Sequence, residues 1–167
     1  KTCRGGVTPD AARTIVRTNT TAIAAVAVER GDADAMICGL EGRFDRHLLT
    51  IRDVIGTAEG VRDFSAMSLL ILSKGAYFLA DTFISPDPNA DEIAEMTQLC
   101  ARQVRRFGIT PKVALLSHSN FGSSNTASAV KMREALSILQ KRDPELEVEG
   151  EMHGDTALSE ALRMRIF

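Results

Sequence analysis

The stretch Val113-Ala114-Leu115-Leu116-Ser117-His118-Ser119-Asn120-Phe121-Gly122-Ser123-Ser124-Asn125 changes character after its fourth residue. Thr110-Pro111 leads into an unbroken apolar run, as expected of a buried strand. Serines, asparagines and one glycine come next. Beyond them Ala129, Met132, Leu136 and Leu139 recur at alternating steps of three and four, the spacing of one helix face. Strand, small polar loop and helix N-terminus in that order can receive an anion. The first N–H groups of a helix lack partners within it, and the helix dipole is positive at that end. Gly122 permits close backbone approach, and the hydroxyls of Ser117, Ser119, Ser123 and Ser124, with the Asn120 amide, can donate to phosphate oxygens. The competing reading is an ordinary strand-to-helix connection with Ser123, Ser124 or Asn125 as its cap. Neither a P-loop lysine nor a dinucleotide-binding glycine pattern is present.

A second strand-to-helix turn lies upstream. Ala35-Met36-Ile37-Cys38 reads as a short buried strand, and Gly39-Leu40-Glu41-Gly42-Arg43-Phe44 opens a helix ending near Ile55-Gly56. Arg43 and Arg46 there either face a charged ligand or pair with Glu41 or Asp45 at the surface, and His47 sits on the helix flank. Before this, Thr8-Pro9-Asp10 starts a helix or helix pair that runs to Arg30, rich in alanine from Ala22 to Val28. Residues 1–7 read as a flexible basic entry.

Phe64–Leu72 and Ala76–Asp81, joined at Ser73-Lys74-Gly75, read as a β-hairpin. Asp81 either faces a cleft or caps a turn. Asn89 with Glu92 forms a capping-box pattern ahead of a helix carrying Ile93, Thr97, Cys100, Val104 and Phe107 on one face, stopped by Gly108. After Asp143-Pro144, Leu146–Met152 alternates as a half-exposed strand. His153-Gly154-Asp155 then leads into a last helix from Thr156 to about Arg165. Asp155 comes just after a strand end, where sites on α/β sheets collect, and could equally cap that helix. The pattern predicts an α/β three-layer sandwich with a mixed, mostly parallel sheet and one hairpin.

The chain has 167 residues and a formal net charge of −2, which argues against a general nucleic-acid or polyanion binder. No apolar run is long enough to span a membrane, and no signal peptide is visible. Cys3, Cys38 and Cys100 are odd in number and far apart, as in a reducing cytoplasm; Cys38 and Cys100 read as packing residues. No His, Cys or carboxylate cluster has metal-ligand spacing. Ser117 and His118 are adjacent on an extended segment and point to opposite faces, which disfavours a serine-hydrolase pair. The chain lacks an initiator Met and stops just after a helical stretch, so it is expected to be a piece of a longer protein.

Leu115-Leu116-Ser117-His118-Ser119-Asn120-Phe121-Gly122-Ser123 resembles the Leu-Ser-x-Ser-x-x-Gly-Ser loop of the phosphate acetyl/butyryl transferase family. Gly150-Glu151-Met152-His153-Gly154-Asp155-Thr156-Ala157 is similar to its Gly-Glu-x-x-x-Asp-x-Ala segment. Gly31-Asp32-Ala33-Asp34-Ala35-Met36, Ala80-Asp81 and Pro86-Asp87-Pro88 fit at matching intervals, so the resemblance runs from about Thr8 to the end. Gly39–Phe44 and Leu116–Ser123 are similar to the C-terminal, phosphotransacetylase-like domain of large bacterial NADP-dependent malic enzymes. True acetyltransferases tend to have a His/Ser-Thr stretch at the first turn and Leu-Arg-Pro in its helix; here those positions read Gly42-Arg43-Phe44 and Leu48-Leu49-Thr50.

The resemblance implies a phosphotransacetylase-like fold of the isocitrate/isopropylmalate dehydrogenase type, present in part across residues 1–167. It implies no catalytic residues and no cofactor on this chain, with acetyl-CoA or phosphate as ligand at Arg43, Ser117, Ser119, Asn120, Gly122, Ser123, Ser124 and Asp155. A Ser-Arg and an Asp implicated in the family's catalysis belong to a later stretch. NADP and a divalent metal would belong to a malic-enzyme domain preceding residue 1. The expected role is a regulatory, acetyl-CoA-responsive and oligomerising domain; the alternative is a phosphate acetyltransferase. The apolar hairpin and the alanine-rich helix, with the dimeric state of the related transferases, imply at least a homodimer.

Overall fold

The computed structural model describes residues 6–166. The basic entry at Lys1 and Arg4 and the thiol of Cys3 lie outside the described residues. The chain divides into two compact units, Lys1–Asp63 and Phe64–Phe167.

The first unit is helical: α1 (Pro9–Thr18), α2 (Thr20–Glu29) and α3 (Phe44–Val54). Thr8 caps α1 by accepting from the Ala11 N–H, and Pro9 takes the first helical turn, where its missing N–H costs nothing. Asn19 closes α1 and caps α2 by accepting from the Ala22 N–H. The small residues Ala22 and Ala25 are buried on α2, which packs on both neighbours. His47 on α3 has a structural task that its flank position did not reveal. Its Nε2 lies 2.7 Å from the Glu41 carbonyl, which can only accept, so Nε2 carries the proton. Nδ1 is then free to accept from the Thr21 hydroxyl at 2.7 Å. The expected strand at Ala35–Cys38 does not form. Ile37 is 99% exposed and Cys38 is exposed, so neither is a packing residue. A strand needs a partner to satisfy its backbone, and none is available among the described residues of this unit.

The second unit holds β1 (Met67–Leu72), β2 (Gly75–Ala80), α4 (Ala90–Arg106), β3 (Lys112–Leu116), α5 (Ala127–Arg142), β4 (Glu147–Met152), α6 (Gly154–Leu158) and α7 (Glu160–Ile166). β1 and β2 form the expected antiparallel hairpin, in register from Met67↔Ala80 to Leu72↔Gly75. Its Phe78 ring meets Phe107 beyond α4 with centroids 5.4 Å apart. Asp81 caps the exit of the hairpin, accepting from the N–H groups of Ala66, Ile84 and Ser85. Asn89 and Glu92 complete a reciprocal capping box on α4. β3 and β4 run parallel, and the strands fall into two separate two-stranded sheets. α4 and α5 pack on each other and close the core: Ile93, Ala94, Ala101, Leu115, Ala135, Leu139, Leu146 and Val148. The expected last helix is two short ones, broken at Ser159. No helix among the described residues is long and apolar enough to cross a membrane.

Candidate functional site

The ladder between β3 and β4 is interrupted at its C-terminal end. Leu115 pairs with Gly150, but Leu116 pairs with Met152, so Glu151 has no opposite residue. Such a bulge turns a side chain away from the alternating pattern. The burial of β4 records it: Val148, Gly150, Glu151 and Met152 are all buried, where strict alternation would have exposed Glu151.

Glu151 is 0% exposed and gathers the loop around itself. Its Oε1 accepts from the Ser119 hydroxyl at 2.8 Å, the Gly122 N–H at 2.8 Å and Arg133 Nη1 at 2.8 Å. Its backbone carbonyl accepts from the Phe121 N–H at 2.8 Å. Arg133 continues the clamp: Nη1 also donates to the Ser124 carbonyl at 3.1 Å and Nη2 to Asn125 Oδ1 at 3.0 Å. Ser119 Oγ accepts from the Ser124 N–H, and Ser123 Oγ accepts from the Asn120 N–H. Asn120 Oδ1 accepts from the His153 N–H, tying the loop to the end of β4.

This geometry corrects the expectation of a cradle made from the loop's own amides. The N–H groups of Ser117, Ser119, Asn120, Phe121, Gly122, Ser123, Ser124 and Thr126 all donate within the protein. The physical reason is Glu151 and the serine side chains, which supply acceptors on the inner side of the turn. Ser119 is itself buried and holds the loop's shape. Donors at this end of the sheet come instead from the first turn of α5. Its N-cap, Thr126, makes no side-chain capping bond, and the N–H groups of Ala127, Ser128 and Ala129 precede the first intrahelical bond, Val130 N–H to the Thr126 carbonyl. Around that turn stand the exposed Thr126 and Ser128, with His118 Nε2 at 3.0 Å from the Thr126 hydroxyl. His153 Nε2 donates to the His118 carbonyl at 2.8 Å.

The predicted site residues fall in both units. Ser117, Ser119, Asn120, Gly122, Ser123 and Ser124 share one loop, and Asp155 lies just past β4, where its Oδ1 accepts from the Thr156 N–H at 2.7 Å. Arg43 belongs to the first unit, where it makes two hydrogen bonds to Asp45, at 3.0 and 2.9 Å. Sequence reasoning does not single out Glu151 or Arg133 as site residues. Arg133 carried a signal: it stands four residues after Ala129 and three before Leu136, so a charge interrupts the inward face of α5. No group of three or more His, Cys, Asp or Glu among the described residues could hold a metal ion.

Two carboxyls here are held below their usual range. Burial pushes the Glu151 carboxyl up, but the Gly122 N–H, the Ser119 hydroxyl, its own N–H and Arg133 outweigh it. For Asp81 burial is likewise outweighed, by the N–H groups of Ala66, Ser85 and Ile84 and the Ser85 hydroxyl. A lowered carboxyl pKa adds stability that is full above the unfolded-state value, about 4, and drains away as pH falls through the folded-state value. Urea unfolding should thus vary little on account of these two groups between about pH 7 and 5 and weaken as pH falls below about 4. A midpoint that stays level down to pH 3 would contradict both networks.

Residues 1–167 match the Phosphate acetyl/butaryl transferase family. The chain is 60% identical to an NAD-dependent malic enzyme of Rhizobium meliloti over 98% of its own length, and 51% identical to an NADP-dependent malic enzyme of Escherichia coli over 96%. It spans 21% of each of those enzymes. Among solved structures, a phosphotransacetylase from Streptococcus pyogenes is similar with a TM-score of 0.85 and 28% identity, over 97% of this chain and 50% of the other.

Proposed function

The chain belongs to the phosphate acetyl/butyryl transferase family, and from that premise we propose that it is the phosphotransacetylase-like part of a bacterial malic enzyme, binding acetyl-CoA as a regulator without consuming it. The observation that carries the assignment to a malic enzyme is the identity of 60% and 51% over nearly the whole chain to two enzymes of that name. Those two are named for different nicotinamides, and in this reading the nicotinamide is bound by the rest of the parent protein. Oxidative decarboxylation of malate, with its nicotinamide and divalent metal, likewise belongs to the rest of such a protein.

In this reading the phosphate groups of acetyl-CoA meet the first turn of α5, with the hydroxyls of Ser117, Ser123 and Ser124 beside it and Asp155 at the rim. Two features favour binding over transfer: the turn Gly42-Arg43-Phe44 departs from the transferase pattern, and Arg43 is engaged by Asp45. A ligand regulates only if it binds one state of the assembly better than another. Assembly into at least a homodimer is part of the proposal. It is supported by the apolar hairpin, where Ile71 is 79% exposed and Leu70 and Leu72 are also exposed.

The test is malate-dependent nicotinamide reduction by the full-length parent, with and without acetyl-CoA, alongside an assay for acetyl phosphate and sedimentation of the same preparation. Acetyl-CoA should change the rate several-fold with no acetyl phosphate formed, and the species should sediment as a dimer or larger. Gly122→Val, which puts a β-branched residue at positive φ in the loop beside that turn, should weaken the response and leave basal malate oxidation nearly intact. The similarity to a solved phosphotransacetylase keeps a second reading open, transfer of acetyl between CoA and phosphate, and robust acetyl phosphate turnover would establish it instead.

A further inference from the structure

We propose that Glu151 is the positioning residue of the Ser117–Ser124 loop: a single buried carboxylate oxygen sets the loop's shape and thereby the ligand site above it. Four observations carry this. The bulge in β4 exists at Glu151 alone and directs it into the loop. Oε1 receives donors from two points of the loop, Ser119 and Gly122, and from Arg133 of α5. Arg133 in turn holds the Ser124 carbonyl and the Asn125 side chain, so the loop's exit is fixed by the same pair. Glu151 is fully buried, yet its Oε2 has no hydrogen-bond partner.

That last point separates positioning from plain stabilisation. A buried ion pair is often no more stabilising than well-packed hydrocarbon, and a buried carboxylate oxygen without a donor carries a desolvation cost. A residue selected only for packing here would be apolar. What hydrocarbon cannot supply is an acceptor at the one point that Ser119 Oγ and the Gly122 N–H both reach. The two segments that resemble the transferase family, Leu116–Ser123 and Gly150–Ala157, are therefore one structural unit joined at Oε1.

Acceptor geometry and charge make opposite predictions for two conservative changes. Glu151→Gln keeps an oxygen at the Oε1 position and loses the charge. At Oε2 it loses no bond, since none is made there, and the amide nitrogen takes over the desolvation cost that the unpartnered oxygen already carries. Glu151→Asp keeps the charge and withdraws the oxygens by one methylene. If Glu151 positions the loop, the glutamine variant stays near wild type and the aspartate variant does not.

The experiment uses the full-length parent carrying Glu151→Gln, Glu151→Asp or Ser119→Ala, and has two readouts. Hydrogen exchange by mass spectrometry tracks the peptide 117–126, with the α4 peptide as internal reference. Calorimetry with acetyl-CoA, and separately with inorganic phosphate, tracks the site; this arm rests on the functional reading above. Glu151→Asp should speed exchange of the loop and weaken acetyl-CoA by about tenfold or more, the size expected on losing buried hydrogen bonds. Glu151→Gln should stay within about threefold of wild type in both readouts. Ser119→Ala keeps the carboxylate and removes one donor, so the loop alone should exchange faster while α4 is unchanged. The reverse order, aspartate intact and glutamine impaired, overturns the proposal and leaves Glu151 as a charge partner of Arg133. Loop exchange at the wild-type rate in Glu151→Asp and Ser119→Ala overturns it too. If the wild-type parent binds neither acetyl-CoA nor phosphate, the functional reading fails, while the exchange order still decides the positioning role.

Discussion

Gly150→Ala is expected to lower the stability of the second unit by more than about 3 kcal/mol, enough to leave much of it unfolded. Gly150 sits at φ +139°, a conformation that a residue with a side chain seldom adopts. A Cβ there would lie 2.7 Å from the Leu115 carbonyl oxygen and 2.9 Å from Leu115 Cβ. Neither can retreat, because Leu115 is the buried ladder partner of Gly150 in β3 and part of the core. Gly122→Ala is the matched control. It also has positive φ, +88°, but nothing lies within 4 Å of its would-be Cβ, so only the conformational cost of about 1 kcal/mol remains. Urea unfolding of the two variants beside wild type makes the comparison. A Gly150→Ala protein no weaker than Gly122→Ala would mean that β3 and β4 can separate at this point.

Leu139→Ala should cost about 2–5 kcal/mol. Leu139 is a fully buried residue of α5, in the cluster that α4 and α5 close over β3 and β4. Several of its companions are alanines, Ala94, Ala101 and Ala135, which have no rotamers with which to fill the hole. The loss should appear as a shift of the urea midpoint with an unchanged slope. A shift worth less than about 1 kcal/mol would show that the two helices settle into the space.

The local devices were legible in the sequence because each is decided by a few adjacent residues. Asn89 with Glu92 gave the start of α4, Ser73-Lys74-Gly75 gave the hairpin, and Thr8-Pro9 gave the start of α1. Ala35–Cys38 misled because an apolar run reports what could pair, and pairing depends on residues elsewhere. The loop misled in a different way. Its small polar residues did indicate a tight turn of hydrogen-bond donors, but not the direction those donors face. That is decided by Glu151, whose hydrogen bond to Ser119 spans 32 positions of sequence, and by Arg133, which looked like a flaw in an apolar stripe. Periodicity also hides Glu151: in an alternating strand it belongs on the exposed face, and only the bulge moves it inward.

The bulge dictates where this chain can change length. The turn Asp143-Pro144-Glu145 lies between α5 and β4, outside the ladder, and its Pro144 and Glu145 are exposed. Codons can be gained or lost there with little effect on the pairing of β4. Between Gly150 and Met152 they cannot. Losing one residue would restore unbroken pairing with β3, and since facing alternates strictly along a regular strand, the position after Gly150 would swing to the opposite side. Ser119, Gly122 and Arg133 would then surround an empty acceptor position. Insertions and deletions among homologous genes should therefore collect at 143–145 and be missing from 150–152, however far the surrounding residues diverge.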